Sequence, residues 1–239
     1  SIADDGSDEK QLTSDSKVNL NPVATKNGKY ILFNSNRDDR RGIWRMDADG
    51  SNVIQLTNPE KTSDGGIQIA DADKTIVFAR QPNDGGKAVL MKISIDGGDA
   101  EELIPEASDS SFAPSVSPDG TKLAYISIFY DSETSEFESS LVVSELNGAK
   151  VGEQLKKQEF GLDNNFKWSA DSKFLTFIER EGDGNLWNMS IDGVNKTQIT
   201  DFNNDRLLAF TWAKNGDKLF FVRGIANSDL VLIKSQPKA

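Results

Sequence analysis

Short runs of alternating apolar and polar residues recur along the whole chain and predict β-strands. In one of them, Trp44 and Met46 would face one side of a sheet while Arg45 faces the other. This period of two is typical of a strand, because successive side chains point to opposite faces. No segment longer than about ten residues carries the 3.6-residue period of a helix. The pattern therefore predicts an all-β protein.

Two series of turn motifs divide the chain into repeats. An Asx-Gly pair lies between two apolar runs at residues 5–6, 49–50, 96–97, 147–148 and 192–193. A second turn recurs with its fourth residue at Gly28, Asp73, Gly120, Ser172 and Gly216. Both series repeat every 44 to 52 residues. Because Gly, Asn and Asp tolerate the positive φ of tight hairpin turns, each Asx-Gly pair predicts a hairpin.

Each repeat has room for four short strands. In the third repeat we expect them at about residues 112–117, 122–128, 141–145 and 151–155. Tandem four-stranded units of this length are typical of β-propeller blades. A barrel or a sandwich is the alternative, but neither needs this register between successive hairpins. The expected fold is an all-β propeller of antiparallel blades, formed by residues 1–239 as one domain.

The two ends of the chain predict how the propeller closes. The repeats cover about residues 15–57, 58–104, 105–155, 156–200 and 201–235. The last repeat has no fourth strand, and residues 9–13, which match residues 53–57, would supply it beside residues 229–233. This gives five blades and removes two exposed sheet edges. Six blades are the alternative, because residues 1–2 repeat part of a third strand. Since the chain begins in mid-repeat, we expect a processed form or an excised domain.

Composition excludes several classes of site. The formal net charge of −11 argues against nucleic acid or an anionic membrane surface as the main partner. The chain has no cysteine for a disulfide or thiolate zinc site, and no histidine to act as a general base. No apolar run approaches the ~20 residues that a membrane-spanning helix needs. We expect a monomer with no cofactor, no bound metal and no membrane insertion.

Several segments resemble the repeats of the TolB propeller family. Residues 33–57 include Phe-Asn-Ser-Asn-Arg and Gly-Ile-Trp-Arg-Met-Asp-Ala-Asp-Gly, and residues 114–125 include the Ser-Pro-Asp-Gly turn. These are WD-like repeats without the Gly-His and Trp-Asp dipeptides of true WD repeats. Residues 210–233 are similar to the last blade of propellers at the C-terminus of bacterial membrane-anchored kinases and winged-helix regulators. The resemblance implies a periplasmic or extracellular scaffold or sensor domain that binds a protein or a ligand.

The loops that follow the second strand of each repeat vary most, and variable loops on a scaffold often carry function. The longest of them, residues 127–140, contains Phe129, Tyr130 and Phe137 among acidic residues. These aromatic residues either form a docking patch or pack against one another as a small cluster. The docking alternative predicts that a protein or peptide partner binds on this loop face.

Arginines recur in the same loops, at Arg37, Arg80, Arg180 and Arg223. One interpretation is structural pairing with acidic residues of neighbouring blades, such as Asp64 or Asp109. The other is a set of basic donors for a carboxylate or a carboxy-terminal peptide, since guanidinium groups bind carboxylates through paired hydrogen bonds. We include the four arginines among the candidate partner-binding residues.

Motifs for metal binding and catalysis are weak. The segment from Asp47 to Asn52, which includes Asp49, resembles part of a calcium loop, but hydrogen-bonded hairpin turns are the simpler interpretation. Trp168 and Trp212 occupy matching inner-strand positions and are expected to pack between blades rather than to stack on a ligand. Because the inner strands have few acidic residues, we predict a non-catalytic binding protein. The alternative is a carbohydrate-active or small-ligand enzyme that uses carboxylates of the channel.

Overall fold

The computed structural model of the chain describes residues 1–3, 5–14, 18–37, 41–104, 109–134, 136–146, 155–156, 166–179, 184–203, 206–213 and 216–224. Within these ranges every regular element is a β-strand, so the prediction of an all-β protein is confirmed. The described residues contain no helix with the length and hydropathy needed to cross a membrane.

The strands form antiparallel sheets, each built from strands that follow one another in the chain. The first sheet holds β1 (Asn19–Ala24), β2 (Tyr30–Ser35), β3 (Gly42–Asp47) and β4 (Ile54–Gln55). The second holds β5 (Thr62–Ala70), β6 (Thr75–Pro82), β7 (Val89–Ser94) and β8 (Glu101–Glu102). The third holds β9 (Ser110–Val116), β10 (Lys122–Asp131), β11 (Glu136–Glu145) and β12 (Leu155–Lys156). The fourth holds β13 (Phe166–Trp168), β14 (Phe174–Ile178), β15 (Leu186–Ser190) and β16 (Lys196–Gln198). The fifth has β17 (Arg206–Trp212) and β18 (Leu219–Gly224) within the described residues.

Four of the predicted repeats therefore form four-stranded sheets. In the third sheet, β10 and β11 are longer than predicted, because they continue through the segment that we expected to be a loop. The predicted turn at residues 147–148 and the predicted strand at residues 229–233 lie outside the described residues. The expected N-terminal strand at residues 9–13 has no strand pairing in the part of the chain that the structure describes.

The repeated turns adopt the backbone conformation that their residues predict. Gly50, Gly97 and Gly193 of the Asx-Gly pairs have φ values of 91°, 94° and 78°. In the second series φ is positive at all of Gly28, Asp73, Gly120, Ser172 and Gly216. At the last of these only glycine fits without a shift, because a Cβ there would lie 2.5 Å from the Cβ of Ala170 in the preceding sheet's turn.

Apolar side chains join each sheet to the next one along the chain. Leu32 and Ile43 of the first sheet pack in one buried cluster with Ile76, Phe78 and Met91 of the second. Further clusters join the second sheet to the third, the third to the fourth, and the fourth to the fifth. Face-to-face packing of successive four-stranded sheets is the arrangement of propeller blades.

Two tryptophans reinforce these contacts through their indole N–H groups. Trp168 Nε1 donates to the carbonyl oxygen of Ser115 in the third sheet, at 2.9 Å. Trp212 Nε1 donates to Thr176 Oγ1 in the fourth sheet, also at 2.9 Å. Each tryptophan thus binds the sheet that precedes its own, and the prediction that both pack between blades is confirmed.

The N-terminal segment lies against the first sheet. Leu12 packs on the cluster of Phe33, Trp44 and Met46. Leu56, at the end of the first sheet, packs in the same way on the cluster of the second sheet. Residues 5–14 therefore pack on the first sheet in the way that the last residues of the first sheet pack on the second sheet.

Candidate functional site

A two-stranded arm extends from the third sheet at the position of the longest loop. Strands β10 and β11 stay paired as far as Asp131 and Glu136. Their neighbours stop earlier, since β9 pairs with β10 only up to Ile128 and β12 pairs with two residues of β11. We call residues 129–134 and 136–139 the arm. In the described part of the chain it projects beyond the rest of the sheet.

Aromatic pairing and a turn explain why this segment is a hairpin. Tyr130 lies directly opposite Phe137, with ring centres 5.1 Å apart and ring planes inclined by 56°. Aromatic cross-strand pairs of this kind stabilise antiparallel strands. At the tip, Asp131 Oδ1 accepts the backbone N–H of Glu133 at 2.8 Å, and this bond lowers the pKa of the Asp131 carboxyl group. The expectation of a loop over residues 127–140 was therefore wrong in its conformation.

The aromatic side chains of the arm are only partly covered. Phe129, Tyr130 and Phe137 are 39%, 54% and 65% exposed. Tyr130 and Phe137 do contact each other, as the small-cluster alternative predicts, but their contact leaves more than half of each side chain exposed. Ile128, two residues before Tyr130 on the same face, packs against the cluster between the third and fourth sheets. The arm therefore begins in the core and ends in an exposed aromatic pair.

The arm is strongly acidic. It carries Asp131, Glu133, Glu136 and Glu138, and residues 129–139 contain no lysine or arginine. None of these four carboxylates forms an ion pair with another described residue. A negative field beside aromatic faces suits a cationic segment, because both the carboxylates and the ring faces attract cations.

Arg80 binds Asp64 through two hydrogen bonds. Its Nε and Nη2 atoms donate to the two carboxylate oxygens at 2.8 Å and 2.9 Å. Asp64 is 1% exposed, and the hydrogen bonds from Arg80 raise the pKa of the guanidinium group. The two residues face each other across β5 and β6 of the second sheet. For Arg80 the interpretation as a structural pair with an acidic residue is confirmed, but the acid belongs to the same sheet rather than to a neighbouring one, because the strand register places it there.

Arg37 and Arg223 lie over aromatic rings. The guanidinium carbon of Arg37 is 4.5 Å from the ring centre of Trp44, and that of Arg223 is 3.9 Å from Phe202. Arg180 lies outside the described residues. Arg37, Arg80 and Arg223 are thus each held by neighbours of their own, and no contact between described residues connects one of them to the aromatic pair of the arm.

The segment that resembles part of a calcium loop is a hydrogen-bonded turn. Asp49 Oδ1 accepts the backbone N–H and the hydroxyl of Ser51 at 2.8 Å and 2.6 Å. Asp47 Oδ2 accepts Asn52 Nδ2 at 2.7 Å. The interpretation as a hairpin turn is confirmed. Among the described residues there is no group of three or more acidic side chains placed to hold a metal ion.

The inner strands are β1, β5, β9, β13 and β17. Within their described residues Asp64 is the sole acidic side chain, and Arg80 binds it. The second carboxylate that a glycosidase-type reaction would require is not supplied by the described inner strands.

A cleft that the sequence did not reveal lies on the loop face between the first and second sheets. Its volume is about 430 Å³, and Ser35, Arg41, Glu60 and Asn83 are among its lining residues. These residues come from two different repeats and do not recur at equivalent positions, so neither the repeats nor a motif marks them. A signal that was available is Asn34, a polar residue directly after the apolar run Ile31-Leu32-Phe33 of β2.

A curated protein is similar to about half of the chain. No family model matches the chain. In an alignment of 133 residues that covers 51% of this chain, it is 31% identical to an uncharacterised protein of Agrobacterium fabrum. The match covers 44% of that relative, so the chain spans less than half of its length.

Solved structures resemble the chain over most of its length. A putative TolB from Agrobacterium tumefaciens is similar with a TM-score of 0.67 and 20% identity, over 89% of this chain and 72% of that one. An oligogalacturonate lyase in complex with manganese is similar with a TM-score of 0.67 and 17% identity, over 91% of this chain and 63% of that one. Identities this low establish the fold alone, and the fold is that of a TolB-like β-propeller.

Proposed function

We propose that this chain is a non-catalytic, extracytoplasmic propeller domain that binds a protein or peptide partner on its loop face, as a scaffold or sensor. The arm would make the contact, and the partner would present a cationic segment. The observation that carries the proposal is the exposed Tyr130–Phe137 pair, with ring centres 5.1 Å apart, on a hairpin with four carboxylates. Aromatic side chains of this kind are enriched among the residues that contribute most to protein interfaces.

The two faces of the arm differ in what they offer a partner. Tyr130 and Phe137 share one face, while Phe129 points to the opposite side, because neighbouring residues in a strand alternate. The paired face is the more exposed one, at 54% and 65% against 39% for Phe129. We therefore expect the partner to bury the paired rings and to place its basic groups over the surrounding carboxylates.

Selection from a random peptide display library tests the proposal without knowledge of the partner. The peptides retained by the wild-type chain should combine apolar residues with lysine or arginine. The double variant Tyr130→Ala, Phe137→Ala should weaken their dissociation constants by at least about ten-fold, as truncation of central interface aromatics does. The control is Val194→Ala, because Val194 is 77% exposed but lies in the turn after β15, away from the arm. Peptides that bind the double variant and the wild type equally would contradict the proposal.

The charge requirement has its own test. Replacing Glu133, Glu136 and Glu138 by glutamine leaves the two rings in place and removes three negative charges. Because long-range attraction mainly accelerates association, the triple variant should bind the selected peptides with a lower association rate and a weaker dependence on salt. An unchanged salt dependence would show that the carboxylates do not contact the partner.

An enzymatic function is the alternative, and the fold of oligogalacturonate lyase makes it worth testing. The structural support for a non-catalytic role is that the acidic residue of the described inner strands, Asp64, is buried and bound by Arg80. We expect no cleavage of oligogalacturonate by this chain, with or without manganese, in an assay for newly formed chain ends. Cleavage that disappears in Asp64→Asn would overturn the non-catalytic proposal.

The location outside the cytoplasm is inferred from the TolB-like fold. Fractionation of cells of the native organism, with an antibody against this chain, should recover it with periplasmic or extracellular proteins. Recovery with cytoplasmic proteins would contradict this part of the proposal.

We also propose that the N-terminal segment completes the fifth blade and closes a five-bladed ring. The Oγ1 atom of Thr57 accepts the backbone N–H of Ile43 at 2.9 Å, and Thr200 makes the equivalent bond in the fourth sheet. Thr13 stands at the same position of the repeat, and in the closed ring it would accept the N–H of Leu230. Leu230 lies outside the described residues, so the bond from Leu230 to Thr13 is proposed rather than observed.

A further inference from the structure

The cleft between the first and second sheets has the size and the position of a ligand site. Its volume of about 430 Å³ falls within the range of small-molecule pockets, about 300 to 1,000 Å³. One wall comes from Val18, the start of β1, the end of β2 and the loop after it. The other comes from Glu60, which precedes β5, the start of β5, and Asn83, which follows β6. The cleft is separate from the arm, which belongs to the third sheet.

Two opposite charges line the cleft. Arg41 and Glu60 are both exposed, and neither forms an ion pair or a side-chain hydrogen bond with a described residue. The backbone at Arg41 is nevertheless held in place, because its carbonyl oxygen accepts the N–H of Asp64 in β5 at 3.0 Å. A guanidinium and a carboxylate are therefore both available to a ligand at this site.

The cleft also has a buried polar base. Asn34 and Ser35 line it and are each 1% exposed. Asn34 Nδ2 donates to the carbonyl oxygen of Asp64 at 2.9 Å, which fixes the amide. Ser35 Oγ accepts the backbone N–H and the side-chain Nε–H of Arg37, both at 3.3 Å, and its own proton has no acceptor among the described residues. That hydroxyl can donate to a ligand.

The remaining wall is apolar. Val18 and Leu20 line the cleft and are 53% and 44% exposed. Contact between these exposed aliphatic side chains and an aliphatic part of a ligand contributes favourable binding free energy, because apolar surface is removed from water. No aromatic ring lines the cleft, so the stacking surface that commonly supports a sugar ring is not supplied by its lining residues.

We propose that this cleft binds a small zwitterion with an aliphatic side chain, such as a free amino acid. The ligand's carboxylate would pair with Arg41, its ammonium group with Glu60, and its aliphatic part with Val18 and Leu20. Ser35 would donate a hydrogen bond to the carboxylate. A simple anion is disfavoured by Glu60 and a simple cation by Arg41, so a ligand that carries both charges satisfies the site best.

Three related probes separate the parts of this proposal. L-Leucine carries both charges, N-acetyl-L-leucine keeps only the carboxylate, and L-leucinamide keeps only the ammonium group. Isothermal titration of the full chain should give saturable binding that is tightest for L-leucine. In the corresponding NMR titration, the backbone amide signals of Ser35 and Asn36 should shift with added L-leucine, because both residues line the cleft.

Variants that remove one charge at a time then show which group of the ligand each charged side chain binds. Arg41→Gln should weaken L-leucine and N-acetyl-L-leucine by about five-fold, as expected for one exposed ion pair, and should not weaken L-leucinamide. Glu60→Gln should weaken L-leucine and L-leucinamide to a similar extent and should not weaken N-acetyl-L-leucine. The matched control is Lys61→Gln, since Lys61 is exposed beside Glu60 but does not line the cleft.

Each result decides the proposal. Wild-type chain that shows no saturable binding of L-leucine overturns it, and so does binding that Arg41→Gln, Glu60→Gln and Lys61→Gln change equally. The inference does not depend on the proposed partner-binding function. The arm variant Tyr130→Ala, Phe137→Ala should bind L-leucine as the wild type does, so the two proposals can fail separately.

Discussion

The carboxylate of Asp73 in the second sheet accepts the backbone N–H of Asn27 in the first sheet at 2.9 Å. The same carboxylate also accepts the N–H of Lys26 at 2.9 Å. Asp73 occupies a turn position where three other repeats have glycine, and its φ of 69° is one that glycine adopts more easily. The hydrogen bonds across the two turns offset that conformational cost. Ser172 acts similarly, because its hydroxyl accepts the N–H of Asp119 at 3.1 Å from the turn of the third sheet.

Asp73→Gly should therefore lower the free energy of unfolding, although glycine suits the backbone better. The loss of two bonds to a charged acceptor should outweigh the relief of the positive φ and cost about 1 kcal/mol. Urea denaturation measures the change. The control is Asp71→Gly, which also has positive φ but no described side-chain hydrogen bond, and it should be neutral or stabilising. Equal effects of the two variants would show that the carboxylate of Asp73 contributes nothing.

Removal of one member of the Arg80–Asp64 pair should be strongly destabilising. Asp64→Ala leaves a half-buried guanidinium without its carboxylate, and we expect a loss of about 3 kcal/mol in the free energy of unfolding. Replacing both residues by apolar ones, as in Asp64→Leu with Arg80→Met, should recover most of that loss. Thermal and urea unfolding of the three proteins test this. A double variant that is as unstable as Asp64→Ala would mean that the site needs the ion pair itself.

Deletion of residues 1–13 should destabilise the whole propeller if these residues close the ring. The smaller change Leu12→Ala should cost about 1 kcal/mol, since Leu12 is only partly buried on Phe33, Trp44 and Met46. Leu56→Ala removes the equivalent contact from a site that is 7% exposed and should cost about 2 to 3 kcal/mol. An unchanged melting temperature after the deletion would refute closure by the N-terminal segment.

Stability should fall in acid because of the aspartates in the hairpin turns. The pKa values of Asp49, Asp171 and Asp192 are lowered, chiefly by the hydroxyl groups of the serines that donate to them. A carboxyl whose pKa is lower in the folded chain stabilises the fold above its unfolded pKa, about 4, and loses this contribution as the pH falls through the folded value. Urea midpoints should therefore be steady from neutral pH down to about pH 5 and decline below about pH 4.

One serine variant tests the cause of this acid sensitivity. Ser190→Ala removes the hydroxyl that donates to Asp192, so the pKa of Asp192 should rise toward its ordinary value in an NMR titration. Ser94→Ala is the control, because its hydroxyl accepts the N–H of Asp96 and does not donate to a described carboxylate. A pKa of Asp192 that stays low in Ser190→Ala would assign the shift to the N–H of Val194 instead.

The local features of the fold could be predicted from sequence, because they depend on residues close together in the chain. The Asx-Gly pairs placed the hairpins, and the period of two placed the strands, as the positive φ of Gly50 and the pairing of β2 with β3 show. Strand length was harder to predict. The aromatic and acidic residues of the arm looked like a loop, and only the pairing of Tyr130 with Phe137 made them a continuation of the sheet.

The sites were less predictable, because they depend on register and on contacts between repeats. The four loop arginines looked equivalent in sequence. Strand register pairs Arg80 with Asp64, while Arg223 lies opposite Leu207 and stacks on Phe202. The residues that line the cleft of Arg41 and Glu60 do not recur at equivalent positions in the other repeats. A search for repeated motifs could therefore not have found the cleft.

Because the arm is connected to the core, intrinsic tryptophan fluorescence can report on what binds to the arm. Ile128 lies on the same face of the strand as Tyr130 and packs against a buried cluster. Trp168 belongs to this cluster, and Trp187 packs against it. A partner that bends or clamps the arm would change the surroundings of these two indoles without touching them. Their emission wavelength should therefore respond to occupancy of the arm, and binding could be followed in the unlabelled chain.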